Sequence, residues 1–428
     1  MKKRLGLCLP AIVAAAALAL AACSSGSDSS ASGGVTKIVV WHGYIDVEGK
    51  AFNSMVKQFE KSHPNIQVSS LESTNDYALQ KVLTAVRGGT PPDIAYMYGS
   101  WSPNIAKIPQ LVDLSSTVKG AGWNWNDFYP GERATATVGS KIVGVPALVD
   151  NLAIVYNKKL FAQAGVSPPT PSWTWTDFRN AAAKLTDKSK GQFGWYFPAD
   201  ASEDSVWHYE AMLWEAGGNI LNPDNTKAAF DSPEGIKALT TLQQMAQDKS
   251  VYIDTSNTKG SQLMNAGKIG MMVTGPWDLS SLPNISYGVQ IMPTYPGSPG
   301  GHQTISGPDN WVVFNNGSAQ TQAAETFLKW LTAPAQIKTF SRATGDLPTR
   351  ASVGDEPGFV KELNDNLPGT AAFVANLANA KKARPQVTQY PKISEALGNE
   401  IVAVLLGKAT PAAALKAAAA ETNQALTG

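Results

Sequence analysis

The apolar residues that follow residue 34 repeat with two periods, one typical of strands and one typical of helices. Residues 37–41 form a β-branched run that predicts a strand. Phe52, Met55, Val56 and Phe59 then recur at helical spacing within 47–61. The alternation continues with strands predicted at 66–71 and 94–98 and a helix predicted at 77–87. Such alternation predicts a parallel sheet with helices on its faces.

A second α/β region begins near Gly144-Val145-Pro146 and contains longer helices. Its strands are predicted at 153–156, 269–274, 288–293 and 311–314, and its main helices at 177–185, 234–247 and 319–331. Thr176 is predicted to cap the first of these helices, and Ser232 followed by Pro233 is predicted to open the second. The alanine-rich segment 412–420 predicts a surface helix near the C-terminus. The pattern as a whole predicts two α/β lobes.

The first 22 residues have the order of an export signal, with basic residues at positions 2 to 4 and an apolar stretch from 5 to 20. That stretch is too short and too rich in alanine for a stable membrane span. Two alanines and then Cys23 follow, which resembles the lipobox of bacterial lipoproteins. The resemblance implies a signal peptide over 1–22 and acyl chains on Cys23 that hold the protein on the outer face of the cell membrane. Residues 23–34 are rich in serine and glycine, which predicts a flexible tether.

Charge and cysteine content exclude several classes of function. Loss of the signal removes three of the 35 basic residues, so 32 remain against 34 acidic ones. This balance argues against nucleic-acid binding. Cys8 leaves with the signal, and Cys23 is then the only thiol. No disulfide, zinc or iron–sulfur site can therefore be built from cysteine, and we expect neither a metal nor a cofactor.

Several short motifs, in their order and spacing, resemble the extracellular solute-binding proteins of ATP-driven importers, in particular the sugar-binding family that includes the maltose-binding protein. The resemblance covers nearly the whole mature chain. The matching segments are Val39-Val40-Trp41, residues 89–94, Gly144-Val145-Pro146, residues 154–161, residues 267–272, Gly275-Pro276-Trp277, Tyr287-Gly288-Val289 and Met292-Pro293.

The resemblance implies a periplasmic-binding-protein-like α/β fold of type II, in which two lobes are joined by hinge strands and the chain crosses between them three times. The crossings are expected near 146–151, 291–295 and 332–334. Residues 35–147 with 292–333 would then form the N-terminal lobe. Residues 148–291 with 334–428 would form the C-terminal lobe. The implied partner is the permease of an ABC transporter, and we expect a monomer.

The chain has 12 tryptophans although only 16% of its residues are charged. Indole rings suit the apolar faces of sugar rings, and carboxylates, amides and arginine suit their hydroxyl groups. The resemblance places a sugar-stacking aromatic at Trp277, a second contact aromatic at Trp207 and an acidic ligand at Asp150. Most of the other candidates lie near strand ends, where open α/β sheets bind ligands, and Arg350 follows residues 345–349, from where it could reach the cleft. They are Trp41, His42, Gly43, Ser100, Trp101, Asn151, Gly307, Asp309, Asn310 and Arg350.

These observations favour a receptor that captures a neutral di- or oligosaccharide by closing its cleft. A first alternative is a receptor for glycerol-3-phosphate or a glycerophosphodiester, which needs converging cations. Only His42 and Arg350 are candidates for that role, and both Asp150 and Asp309 would oppose an anion. A second alternative is a secreted glycoside hydrolase, but the chain has no Gly-x-Ser-x-Gly, His-Glu-x-x-His or P-loop motif. We therefore expect no enzymatic activity.

Overall fold

The computed structural model describes residues 34–73, 75–297 and 301–428. The predicted signal peptide, the lipidation site Cys23 and nearly all of the predicted tether lie outside these residues.

The strands, in chain order, are β1 (Thr36–His42), β2 (Ile66–Glu72), β3 (Ile94–Tyr98), β4 (Thr137–Val138), β5 (Lys141–Ile142), β6 (Val145–Leu148), β7 (Ala153–Asn157), β8 (Phe193–Pro198), β9 (Val251–Asp254), β10 (Ile269–Thr274), β11 (Tyr287–Gln290) and β12 (Asp309–Val313). The helices are α1 (Asp46–Ser62), α2 (Ala78–Arg87), α3 (Ser102–Ile105), α4 (Pro130–Thr135), α5 (Lys158–Gln163), α6 (Trp175–Leu185), α7 (Glu203–Glu215), α8 (Pro233–Asp248), α9 (Gly260–Asn265), α10 (Ser318–Leu331), α11 (Pro334–Thr344), α12 (Ala351–Gly354), α13 (Pro357–Asn366), α14 (Thr370–Asn376), α15 (Tyr390–Leu405) and α16 (Pro411–Thr427).

The first of the two large sheets has the strand order β2-β1-β3-β12-β6. Strands β1, β2 and β3 are parallel, whereas β12 runs antiparallel to both of its neighbours. Ile38 and Val40 of β1 are fully buried and pack in one cluster with Phe52 and Phe59 of α1. The helical spacing of those aromatic residues in the sequence therefore marks the face that covers this sheet.

The second large sheet has the order β11-β7-β10-β8-β9. Strands β8, β9 and β10 are parallel, and β7 is antiparallel to β10 and β11. Every residue of β10 is buried, as expected for a central strand covered on both faces. Helices α6, α7 and α8 contribute to the large apolar cluster on one side of this sheet, together with α15 and α16.

Two helix predictions need correction. Helix α6 begins at Trp175, and its cap is Thr174, whose hydroxyl accepts a hydrogen bond from the Asp177 amide. Thr176 lies inside the helix and is exposed. The C-terminal helix α16 is not merely a surface helix, because Leu415 and Ala418 are fully buried in the large apolar cluster beside the second sheet.

Three passages of the chain lie side by side between the two large sheets. Val149 forms an antiparallel bridge with Leu347, and Asn151 forms one with Ser306. Met292 and Tyr295 still pack in the cluster of the second sheet, so we place the second crossing near Ser306 rather than at 291–295. Helix α11 packs on α1 beside the first sheet, so we place the third crossing after Thr344 rather than at 332–334.

None of the helices in the described part of the chain combines the length and the hydrophobicity that crossing a bilayer demands.

Candidate functional site

Two tryptophans form a pair close to the point where the chain passes between the sheets. Trp277 lies in a 3₁₀ turn (Pro276–Ser281) directly after β10, and Trp207 lies in α7. Their ring centroids are 5.7 Å apart and the rings are inclined by 34°. The indole nitrogen of Trp207 is buried and has no hydrogen-bond partner among the described residues. The pair therefore offers an apolar surface together with an N–H donor.

Gly307 allows the pair and a carboxylate to approach each other. A Cβ atom at this position would lie 2.5 Å from Oδ1 of Asp150 and 3.2 Å from the Trp207 ring. The amide of Gly307 also donates a hydrogen bond to the Asp150 carbonyl, with a length of 3.2 Å. Sequence reasoning named Asp150, Trp207, Trp277 and Gly307 separately, and the structure brings the four together.

Asp150 and Asp309 are buried carboxyl groups. Oδ1 of Asp150 has no hydrogen-bond partner among the described residues. Burial raises its pKa well above the usual range, and Asp309 adds to the effect. Asp309 accepts a 2.5 Å hydrogen bond from the hydroxyl of Tyr96. Burial raises the pKa of Asp309 to about 7, although nearby Arg384 opposes the shift. A carboxyl group can accept hydrogen bonds from hydroxyl groups in either protonation state, and its protonated form can also donate one.

Three further acidic residues that sequence reasoning missed lie close to this pair. Asp346 is 2% exposed, and neither of its carboxylate oxygens has a hydrogen-bond partner among the described residues. Burial raises its pKa to about 6. Burial, and then the proximity of Asp346, raise the pKa of Glu48 on α1. Burial also raises the pKa of Glu132, and Asp309 adds to that shift.

A missed cation, Arg384, faces this acidic group. Its Nη1 donates to Oε1 of Glu203 over 2.9 Å, and its guanidinium lies 5.7 Å from the ring centroid of Tyr98. Glu203 also accepts hydrogen bonds from the hydroxyls of Tyr390 and Ser394. Burial by itself would lower the pKa of Arg384, but Glu203 and the other acids hold it above its usual value. Glu203 thus offsets much of the positive charge of Arg384.

Two predicted site residues have other roles. Arg350 is 2% exposed, and its guanidinium donates to the carbonyls of Thr332, Asn124 and Trp123. It also lies 3.8 Å from the ring centroid of Phe128. These contacts tie loops together, so the structure does not place Arg350 in the cleft.

The side chain of Asn151 likewise forms hydrogen bonds within the protein. Its amide donates to the carbonyl of Phe373 and accepts from Asn376 over 2.7 Å. Because the side chain is fully buried, we assign it to the crossing rather than to ligand contact. Asn310 follows Asp309 in β12, where the pairing with β6 shifts its register. Both polar atoms of the Asn310 side chain are buried without a hydrogen-bond partner among the described residues.

The candidates after the first and third strands are mainly packed. His42 is 4% exposed and packs against Phe52, with 4.5 Å between the centroids of the tilted rings. Burial lowers its pKa to about 4, so its imidazole is neutral near pH 7. Trp101 packs 4.5 Å from Tyr98. The remaining three candidates are placed as follows: Trp41 packs against the α2 layer, Gly43 lies against Asn75, and the hydroxyl of Ser100 is buried without a hydrogen-bond partner among the described residues.

The model of one protein family matches most of the chain. It is the family of bacterial extracellular solute-binding proteins, and it matches residues 44–338.

Two solved structures and one curated relative show similarity over nearly the full length. The cyclic α-maltosyl-1,6-maltose binding protein from Arthrobacter globiformis is 30% identical, with a TM-score of 0.75 over 92% of this chain and 100% of that one. An ABC substrate-binding protein from Listeria monocytogenes in complex with cycloalternan is 26% identical, with a TM-score of 0.82 over 91% and 98%. The sn-glycerol-3-phosphate-binding periplasmic protein of Pectobacterium atrosepticum is 24% identical over 96% and 95%. The structural matches confirm the predicted type II fold class.

Proposed function

Because the chain belongs to the family of bacterial extracellular solute-binding proteins, we propose that it is the receptor that captures a neutral di- or oligosaccharide for an ABC importer. Solute-binding proteins of ABC transporters are its structural neighbours, and several of them were solved with carbohydrates or polyols. In this proposal the ligand lies between the two sheets, and the ligand-loaded protein delivers it to the membrane permease.

The observation that carries the proposal is the Trp207–Trp277 pair beside the carboxylate of Asp150. The ring centroids are 5.7 Å apart. Because Gly307 has no side chain, the Trp207 ring and the Asp150 carboxyl group both border the space beside its Cα atom. A sugar presents an apolar ring face beside hydroxyl groups. The indoles would contact the ring face, and Asp150 with Asp309 would accept hydrogen bonds from the hydroxyls.

The same electrostatics disfavour the alternative ligands glycerol-3-phosphate and the glycerophosphodiesters. A phosphate group needs cations or N–H groups that are free to converge on it. Arg384 is the cation beside Asp309, but it is already paired with Glu203 at 2.9 Å. Asp309 and Asp346 add to the cost of ionising Asp150, and a phosphate bound there would be repelled by whichever of these carboxyl groups is ionised.

We also propose that the protein is held at the outer face of the cell membrane by acyl chains on Cys23. The proposal rests on the lipobox-like sequence before that residue. Cys23→Ser should remove lipid labelling and release the protein in soluble form. Membrane retention of the unlabelled variant would contradict the anchor.

Calorimetric titration can test the ligand class. The panel should contain glucose, maltose, maltotriose, maltotetraose, further disaccharides of different linkage, glycerol-3-phosphate and glycerophosphocholine. We expect saturable heat from a neutral saccharide and none from the phosphates. Binding of the phosphates alone would support the alternative ligand. After prolonged incubation the bound sugar should be recovered unchanged, and release of hydrolysis products would contradict a binding role.

A further inference from the structure

His208 follows Trp207 directly in α7 and is 4% exposed. Its two ring nitrogens face oxygen acceptors on opposite sides. Nδ1 lies 2.8 Å from the carbonyl oxygen of Asp204 and 3.2 Å from Oδ1 of the same residue. Nε2 lies 2.8 Å from the carbonyl oxygen of Val273 in β10. The imidazole therefore bridges the helix that carries Trp207 and the strand that leads to Trp277.

This geometry defines the protonation state of the ring. A carbonyl oxygen can only accept a hydrogen bond, so both ring nitrogens must carry a proton to satisfy the two short contacts. A ring with both nitrogens protonated is an imidazolium cation. Burial acts to lower the pKa of His208, but the Asp204 carboxylate and the hydrogen bonds prevail and the pKa is raised.

Charged groups around His208 form a second link between the segments that carry the two tryptophans. Asp204 lies on α7 itself, and its carboxylate also accepts a hydrogen bond from Asn257 over 2.8 Å. Burial raises the pKa of Asp278, the residue after Trp277, and the nearby charge of His208 opposes that shift. The Asp278 carboxylate is fixed by the hydroxyls of Thr274 and Ser261. A positive charge next to Trp207 thus attracts a negative group next to Trp277.

The further described contacts around this centre involve a neutral ring and another acid. From β8, the neutral ring of Phe197 packs against His208 with 5.9 Å between centroids. The hydroxyl of Tyr196, also on β8, donates to Asp254 at the end of β9. These groups surround the imidazolium with acceptors and acids, which is the environment that stabilises its charge.

We propose that His208 is a positioning residue, a buried imidazolium that holds the Trp207 and Trp277 rings at their observed separation and makes that platform sensitive to pH. The carbohydrate that the platform would bind rests on the proposed function, but the positioning itself can be measured without a ligand. Deprotonation removes one of the two N–H donors and the attraction to both Asp204 and Asp278. The ring separation should therefore change as the pH rises through the pKa of His208.

Nitrogen-15 NMR of the full-length chain can test the protonation state. The chain has four histidines, at positions 42, 63, 208 and 302, so each ring can be assigned with single His→Gln variants. At pH 7 we expect both nitrogens of His208 to show the shift of a protonated ring. A neutral tautomer of His208 at pH 7 would overturn the proposal.

Circular dichroism can test the positioning. Two indoles about 6 Å apart give an excitonic couplet, which the Trp277→Phe difference spectrum identifies. We expect the couplet of the wild-type protein to weaken in the same pH transition as the His208 nitrogen shifts. In His208→Gln it should be at least halved at pH 7 and independent of pH. The matched control His63→Gln changes a partly exposed histidine stacked on Phe59 and should keep the wild-type couplet and its pH profile.

A full couplet in a folded His208→Gln protein, or a wild-type couplet that is unchanged while His208 deprotonates, would refute the positioning role. If His208→Gln does not fold, the wild-type titration still decides between these outcomes. None of these measurements uses a carbohydrate, so a negative result in the saccharide panel and a negative result here are separate findings.

Discussion

At the scale of single residues, Trp277 is the aromatic group whose removal should affect carbohydrate binding most directly. It packs against Trp207 in the second sheet's lobe and is only partly buried, which leaves ring surface for a ligand. Trp277→Ala should weaken affinity at least tenfold, or by about 1.4 kcal/mol, as central aromatic anchors commonly do. Trp330→Ala is the matched control, because that partly buried indole packs against Phe59 in the other core. Calorimetric affinity equal to wild type in Trp277→Ala would contradict the platform.

Asp150 distinguishes the two classes of ligand. Asp150→Asn keeps the shape of the side chain and removes its ability to ionise. Affinity for a neutral saccharide should fall by less than about tenfold, because one hydrogen-bond acceptor is weakened. Affinity for glycerol-3-phosphate should instead rise, because an amide, unlike the carboxyl group, cannot ionise and repel the phosphate. Asp113→Asn, on a surface loop, should change neither titration. Tighter phosphate binding by Asp150→Asn, without any saccharide binding by the wild type, would favour the alternative ligand.

The residues that could be predicted from sequence are those that short motifs place at strand ends. Trp277 follows β10 in the Gly275-Pro276-Trp277 turn, and Asp150 follows β6. Arg384 was missed because its partner Glu203 is 181 residues away, and no local pattern indicates such a contact. Arg350 is predicted in the cleft for a related reason, because the sequence alone does not reveal the carbonyl groups to which it donates. Its actual acceptors at Trp123 and Asn124 lie more than 220 residues away in sequence.

At the scale of elements, the cap of α6 gives a stability prediction. The hydroxyl of Thr174 accepts from the Asp177 amide, and the Asp177 carboxylate accepts from the Thr174 amide over 2.9 Å. Thr174→Ala should therefore lower the free energy of unfolding by about 1 kcal/mol. Thr176→Ala, at an exposed position two residues later, should have almost no effect. Urea unfolding of the two variants measures the difference, and equal midpoints would contradict this assignment of the cap.

This cap also shows which features of an element can be predicted from its sequence. The apolar spacing of α6 places the helix correctly, because Phe178, Ala182 and Leu185 are its buried face. Two threonines compete for the cap position, and the pattern of apolar residues does not distinguish them. The acidic residue three positions after Thr174 does so, since it completes a capping box. The same limit applies to α16, because its alanine-rich sequence does not indicate which face is buried against α15.

At the scale of the whole molecule, the order of strands and helices predicts two sheets, but their boundaries depend on contacts distant in sequence. Residues 292 and 295 pack with the second sheet and α11 packs with the first. Neither fact can be deduced from local hydrophobicity, because an apolar helix face fits either lobe. We propose that the lobes move relative to each other at the three passages that bridge at Val149–Leu347 and Asn151–Ser306.

We expect the two lobes to close around a ligand. The proposed site takes Asp309 from the first sheet, Trp277 from the end of a second-sheet strand, and Asp150 from a crossing. A sugar can contact all three only when they are close together, so it must bind the closed state more tightly than an open one. Small-angle scattering should show a smaller radius of gyration with a saturating saccharide from the panel than without it. The Trp277→Ala variant should need at least tenfold more saccharide for the same change, because its affinity is reduced while its crossings are intact. A profile that is unchanged at saturation would show that the protein binds its ligand without closing.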